Sequence, residues 1–282
     1  MKVILSRKGF DSTHGGYPSP ILPDCKLISL PIPSNDITKY SDLELDAKKT
    51  YFDLMKQLNS RIRYNNRWHE LHENTRCHLD PDIRTRIIQR KKDWRPCFGQ
   101  INRAQSHLRN EGIKKNDLFL FFGWFKKTIC KNGILQFDNP SPDLHVIFGY
   151  LQIGKIMQVN NEIKIPDWMQ NHPHAIDEGR KNDPTNTIYI ANDKLKWDES
   201  KSGAGVFRFH ENLVLTKKGF SRARWELPTF FREVRISRHS ERSWREEGYF
   251  QSAPIGQEFI IEDNNEVENW ARKKLTTAES FD

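Results

Sequence analysis

Residues 8–14 and 78–82 have the side-chain types and spacing that could do chemistry. Lys8, Asp11, Ser12 and His14 stand beside glycines at the start of GFDSTHGGYPSPILPD (9–24), directly after a short apolar run. A carboxylate, an amine and a hydroxyl at a strand end sit where a rigid sheet can aim them. Neighbouring glycines let the backbone approach a substrate closely. Asp11 could equally cap the amides of a tight turn, and spacing leaves both readings open. The segment lacks the GxxxxGK[ST] spacing of a Walker loop. In HLDPD, Pro81 keeps Asp80 out of helical geometry, so His78, Asp80 and Asp82 share an extended or turning backbone. They could position a water, bind a divalent cation or hydrogen-bond a base edge. The competing reading has Asp80 capping a short helix that opens at Pro81, with Asp82 in its first turn.

Two histidine groups carry less. His69, His72, Cys77 and His78 read HxxH then CH, which matches no closed zinc pattern. His172 and His174 in NHPH lack a recognisable ligand partner and suit a turn or pocket. Neither a metal nor a cofactor is therefore expected. In 221–245, arginines alternate with aromatics: Arg222, Arg224, Arg235, Arg238 and Arg242 offer phosphate contacts. Trp225 could stack on a base or belong to a core, and core packing is the safer reading for Phe230 and Phe231. Arg103 lies on the outer side of an expected helix.

Charge follows the same division. Residues 61–135 hold 17 Lys/Arg against 7 Asp/Glu, a net of +10; residues 215–245 hold 9 against 3, a net of +6. The tail 246–282 is at −6. Two basic blocks can build one positive surface that attracts phosphate backbones. At 36% hydrophobic, with eight Trp and seventeen Phe, the chain is too apolar to be disordered. No run approaches 18 apolar residues, so no membrane span is expected. The opening apolar run is too short for a signal peptide. The four cysteines form no CxxC pair, which suits a reducing, cytoplasmic setting.

The elements that must position these residues are legible in outline. Val3–Ser6 and 26–32 read as strands, and 9–24 as turns. Residues 42–61, capped by Ser41, and 96–111, with Pro96 near the start and Gly112 at the C′ position, read as helices. Asp117–Phe125 and Leu144–Ile156 are near-continuous apolar runs, expected as strands buried on both faces, with Gly149 and Gly154 as bulges. Thr187–Ala191 and Leu213–Thr216 read as shorter strands, and 192–205 as a loop. A last helix spans 265–275, with Asn265 and Glu268 as a capping box. The expectation is one α+β domain over 1–282, a strongly bent mixed sheet flanked by helices.

Six segments together carry a resemblance: RKGFDSTHGGYPSPIL (7–22), CHLDPD (77–82), FGQINRAQSHL (98–108), NDLFLFFGWF (116–125), HVIFGYLQIG (145–154) and SRARWELPTFF (221–231). They resemble the third type of nucleotide modification associated domain, over nearly the whole chain. Cys25 departs from it, standing where a turn glycine is expected. The resemblance implies a setting of hypermodified DNA in prokaryotes and their viruses. It also implies antiviral DNA glycosylases that excise glucosylated hydroxymethylcytosine from phage DNA. Such an enzyme binds double-stranded DNA carrying modified bases and extrudes the base. It needs a carboxylate under the sugar, for which Asp11 comes first and Asp80 and Asp82 second. Lys8 is the alternative as an attacking amine. Ser12, His78, Gln100 and Trp124 are the substrate-binding candidates. The alternatives are a reader that holds a modified base without cutting, or an enzyme of free modified nucleotides.

Overall fold

The longest apolar runs form the centre of the molecule, as their continuity requires. The computed structural model describes residues 1–254, 256–277 and 279–281. Nine strands make the main sheet. They are β1 (Val3–Arg7), β2 (Ser19–Ile21), β3 (Cys97–Gln100), β4 (Leu118–Lys131), β5 (Ile134–Phe137), β6 (Leu144–Gln158), β7 (Thr187–Ala191), β8 (Ala204–Val206) and β9 (Glu258–Ile261). Their order is β9–β1–β4–β6–β7–β3, with β2 and β5 also on β4 and β8 also on β6. β1 and β2 run parallel to β4, and the other pairs are antiparallel. β6 shifts register between Ile147 and Gly149 and again between Ile153 and Lys155, at the two expected glycines.

The sheet is mixed and curved, though the expected strong bend overstates it. Phe98 on β3 packs 5.0 Å from Phe119 and 5.4 Å from Phe121 on β4, and stacks on Tyr189 of β7. Gln100 Nε2 on β3 donates to Glu258 Oε1 on β9 at 2.8 Å. The outermost strands thus meet through side chains, with no backbone ladder between them among the described residues. Among the described residues five helices flank the sheet: α1 (Tyr51–Leu58), α2 (Asn102–Asn110), α3 (Pro173–Ile176), α4 (Glu178–Lys181) and α5 (Asn265–Thr277). No described helix is long and apolar enough to cross a membrane.

Several local expectations give way to the structure. The helix expected over 42–61 is only α1, and its cap is Thr50, whose hydroxyl accepts from Asp53 N. Residues 97–100 are a strand before α2, because Cys97, Phe98, Gly99 and Gln100 are all buried against β7. Residues 26–32 and 213–216 make isolated bridges instead of strands. The supposed turns of 9–24 include β2, and the supposed loop of 192–205 includes a hairpin, 194–202. At α5 the capping side chain is Asn264, which accepts from Glu266 N and Val267 N. Cys25 has φ 67°, the left-handed region where a glycine is favoured.

Candidate active site

The C-terminal end of β1 brings several of the sequence candidates together. Lys8 N donates to Phe122 O at 2.8 Å, which sets the 8–16 turn beside Phe122–Trp124 of β4. Phe10, fully buried against the rings of Tyr17 and Tyr40, anchors the turn from below. Asp11 Oδ1 accepts from Thr13 N, Thr13 Oγ1 and His14 N, each at 2.7 Å. The turn reading of Asp11 is therefore correct, yet the side chain is 46% exposed. Partial burial would raise its pKa. The Thr13 hydroxyl and the amides of His14 and Thr13 outweigh that and hold the carboxyl below the usual carboxylate range. Asp11 is thus a rigid, ionised group open to solvent. Arg7, whose guanidinium donates to the carbonyls of Ala253 and Pro254, lies within electrostatic reach of Asp11 and Arg222. Arg222 stacks 4.0 Å over the ring of Trp124. The buried indole N–H of Trp124 has no hydrogen-bond partner among the described residues.

Lys8 faces the other way. Its Nζ is buried over the Phe98 ring at 4.4 Å and pairs with Glu258 Oε1 at 3.1 Å. Ser6 Oγ and Gln100 Nε2 donate to the same oxygen at 3.2 and 2.8 Å. This buried ion pair closes the sheet under the Asp11 turn, so Gln100 is placed to hold Glu258. Sequence reading missed Glu258, whose signal was one carboxylate opening an apolar strand, EFII. It also missed the hairpin 61–70. Arg63 pairs its backbone with Gly15, and its Nη1 donates to Ser12 O at 2.8 Å. Trp68 is 40% exposed and lies over Gly16, where a Cβ would come within 2.5 Å of the indole. Asn65 and Asn66, both at positive φ, make the two-residue turn, and that pair in RIRYNNRWHE was the available signal.

A second cluster lies behind β3. Asp80 caps no helix: its Oδ1 accepts from Gly99 N at 2.7 Å, as a neighbouring strand's carbonyl would. His172 Nε2 is 3.4 Å from that oxygen, and His78 Nε2 is 3.8 Å from Oδ2. Burial would raise the Asp80 pKa, but His172 beside it holds it below the usual range. His174 packs on Gly99, where a Cβ would come within 2.3 Å of its ring. Burial lowers the His174 pKa to about 3, so the ring is neutral. His78 Nδ1 bonds Asp36 Oδ2 at 2.7 Å, and Arg180 pairs with Asp36.

Other candidates are placed elsewhere. Asp82 is taken up by Arg90, which donates to both carboxylate oxygens, and by Trp94 Nε1, which makes it a structural ion pair. Trp225 is 1% exposed and donates to His145 Nδ1 at 3.0 Å, so it is a core residue and cannot stack on a base. Arg235 pairs with Glu111 after α2, near Lys2 at the opposite end of β1. Arg103, Arg224, Arg238 and Arg242 are exposed, and Arg224 lies over Tyr249 at 5.0 Å.

Comparison with known families matches residues 2–262 to the model of nucleotide modification associated domain 3. The chain belongs to this family. None of the curated proteins and none of the solved structures compared with it matches. The matched part of this nucleotide modification associated domain runs from the start of β1 through β9, so both clusters lie inside it, whereas α5 lies outside. Family membership ties the chain to nucleotide modification.

Proposed function

We propose that this domain is a DNA glycosylase that excises a hypermodified base, of the glucosylated hydroxymethylcytosine type, from phage DNA as an antiviral defence. The observation that carries the reading is Asp11: an ionised, half-exposed carboxylate fixed by three hydrogen bonds and flanked by Arg7. Breaking the bond between C1′ and the base nitrogen leaves positive charge on the sugar. A preorganised carboxylate favours that charge and costs no reorganisation when it develops. Water then bonds to C1′, its proton passes to Asp11 and on to solvent, and the departing nitrogen keeps the bonding electron pair and takes up a proton from solvent. The cavity beside Gly9 and Asp80 holds only about 40 Å³, enough for water and far too small for a base. The everted base accordingly rests at the open mouth, beside the Trp124 ring and the Arg222 cation stacked on it. The hairpin 61–70 stands over the same turn, with Arg67 and Trp68 turned to solvent for the duplex.

The test is incubation of the full chain with duplexes that differ only in one glucosylated hydroxymethylcytosine. Alkali-labile abasic sites and free base should form in the modified duplex alone. Tight, modification-dependent binding without base release would replace the enzyme with a reader. Turnover of free modified nucleotides with no duplex activity would point to the third alternative. A borohydride trap should yield no protein–DNA adduct, because Lys8 is committed to Glu258.

A further inference from the structure

The cluster behind β3 takes no part in that chemistry, and its donors converge on one point. One ligand atom each from His78, Asp80 and His174 lies within 4.8 Å of the others. The hydrogen bonds around them decide which atoms face inward. His78 Nδ1 meets the acceptor Asp36 Oδ2 at 2.7 Å, so it carries the proton and leaves Nε2 as a lone pair. Asn186 Nδ2 donates to the carbonyls of His174 and Val159, which fixes its Oδ1 as the acceptor from His174 Nδ1 at 2.8 Å. His174 therefore also presents Nε2 as a lone pair. Asp80 is anchored through Oδ1 on Gly99 N, which leaves Oδ2 facing His78. At 3.8 Å, that contact is too long for a hydrogen bond.

Three electron-pair donors thus crowd within 4.8 Å in a largely buried place, and a cation between them would relieve the repulsion. We propose that His78, Asp80 and His174 bind one divalent first-row transition ion, of the zinc or ferrous type. Two imidazole nitrogens and one carboxylate oxygen suit these ions. Each imidazole also has the outer partner, carboxylate or amide oxygen, that orients metal-binding histidines. Bonds of roughly 2.0–2.2 Å at tetrahedral angles place ligand atoms about 3.4 Å apart, so closure draws donors now within 4.8 Å together by up to about 1.4 Å. Asp80 also borders the 40 Å³ cavity, which has room for waters to complete the coordination. The site does not depend on the glycosylase reading.

The experiment is a Co²⁺ titration of the untagged, chelator-treated full chain, followed by visible absorption, with zinc content of the untreated protein measured alongside. The expected result is a saturable absorption band at one Co²⁺ per chain that zinc displaces. His174→Ala should weaken binding at least 100-fold, and Asp36→Asn, which spares all three ligands, by roughly 10- to 100-fold. A folded wild-type chain with no saturable band and no retained zinc overturns the proposal, whatever the variants do. So does a folded His174→Ala protein that binds Co²⁺ as tightly as wild type.

Discussion

At the scale of single residues, the same side-chain type serves opposite ends according to its partners. Asp82 is spent on Arg90, Asp80 is buried behind a strand edge, and of the three only Asp11 keeps an open face. The sequence supported Asp11 because glycines and a strand end flanked it, but could not separate Asp80 from Asp82. Their partners, Gly99 and Arg90, are set by the path of the chain. His145 shows how burial alone sets a titration. Its burial, with Arg7 and Arg222 adding to it, pushes the pKa well below 6.5, and Trp225 donates to its Nδ1. The unfolded chain takes up this proton as pH falls through about 6.5 and the fold does not. The contribution of His145 is complete above that pH and is lost below it, by up to about 1.4 kcal/mol per pH unit. Urea unfolding at pH 7, 6 and 5 should show this decline, and His145→Asn should flatten it. Equal slopes in the two proteins would remove His145 from the account.

At the scale of elements, β4 and β6 were readable because their apolar runs are long and uninterrupted. β3 was hidden: four residues beside a strongly helical pattern gave no period of their own, and tertiary pairing with β7 decided them. The curve of the sheet rests on β3 through Phe98, which joins Phe119, Phe121, Tyr189 and Lys8. Phe98→Ala should cost about 3–5 kcal/mol in chemical denaturation, because the void it leaves is walled by a sheet that cannot collapse onto it. A loss under about 1 kcal/mol would mean the outer strands hold together without it. The hairpin 61–70 is the opposite case. Arg67–Glu70 are all exposed, and although Trp68 lies over Gly16, packing does not explain Arg67. Arg67→Ala should weaken binding to duplex DNA and lower the slope of log K against log salt by about 1, with folding unchanged. An unchanged slope would place DNA elsewhere on the surface.

At the scale of the whole molecule, charge is sorted along β1. The acidic C-terminal region meets its start, where Asp263 and Glu268 receive the Met1 amine. Arg7, Arg63 and Arg222 gather at its end. The two basic blocks were visible as net charge, but their division in space was not: Arg222 of the second block stacks on Trp124 at this mouth, whereas Arg235 lies at the far end. Such a polarity favours an anion at the Asp11 end over the acidic one. The most direct test is single-turnover base release from a glucosylated duplex by wild type and Asp11→Asn, with bound DNA quantified in the same samples. Asp11→Asn should release base roughly 10²- to 10³-fold more slowly at equal occupancy. Release by Asp11→Asn at the wild-type rate would contradict it.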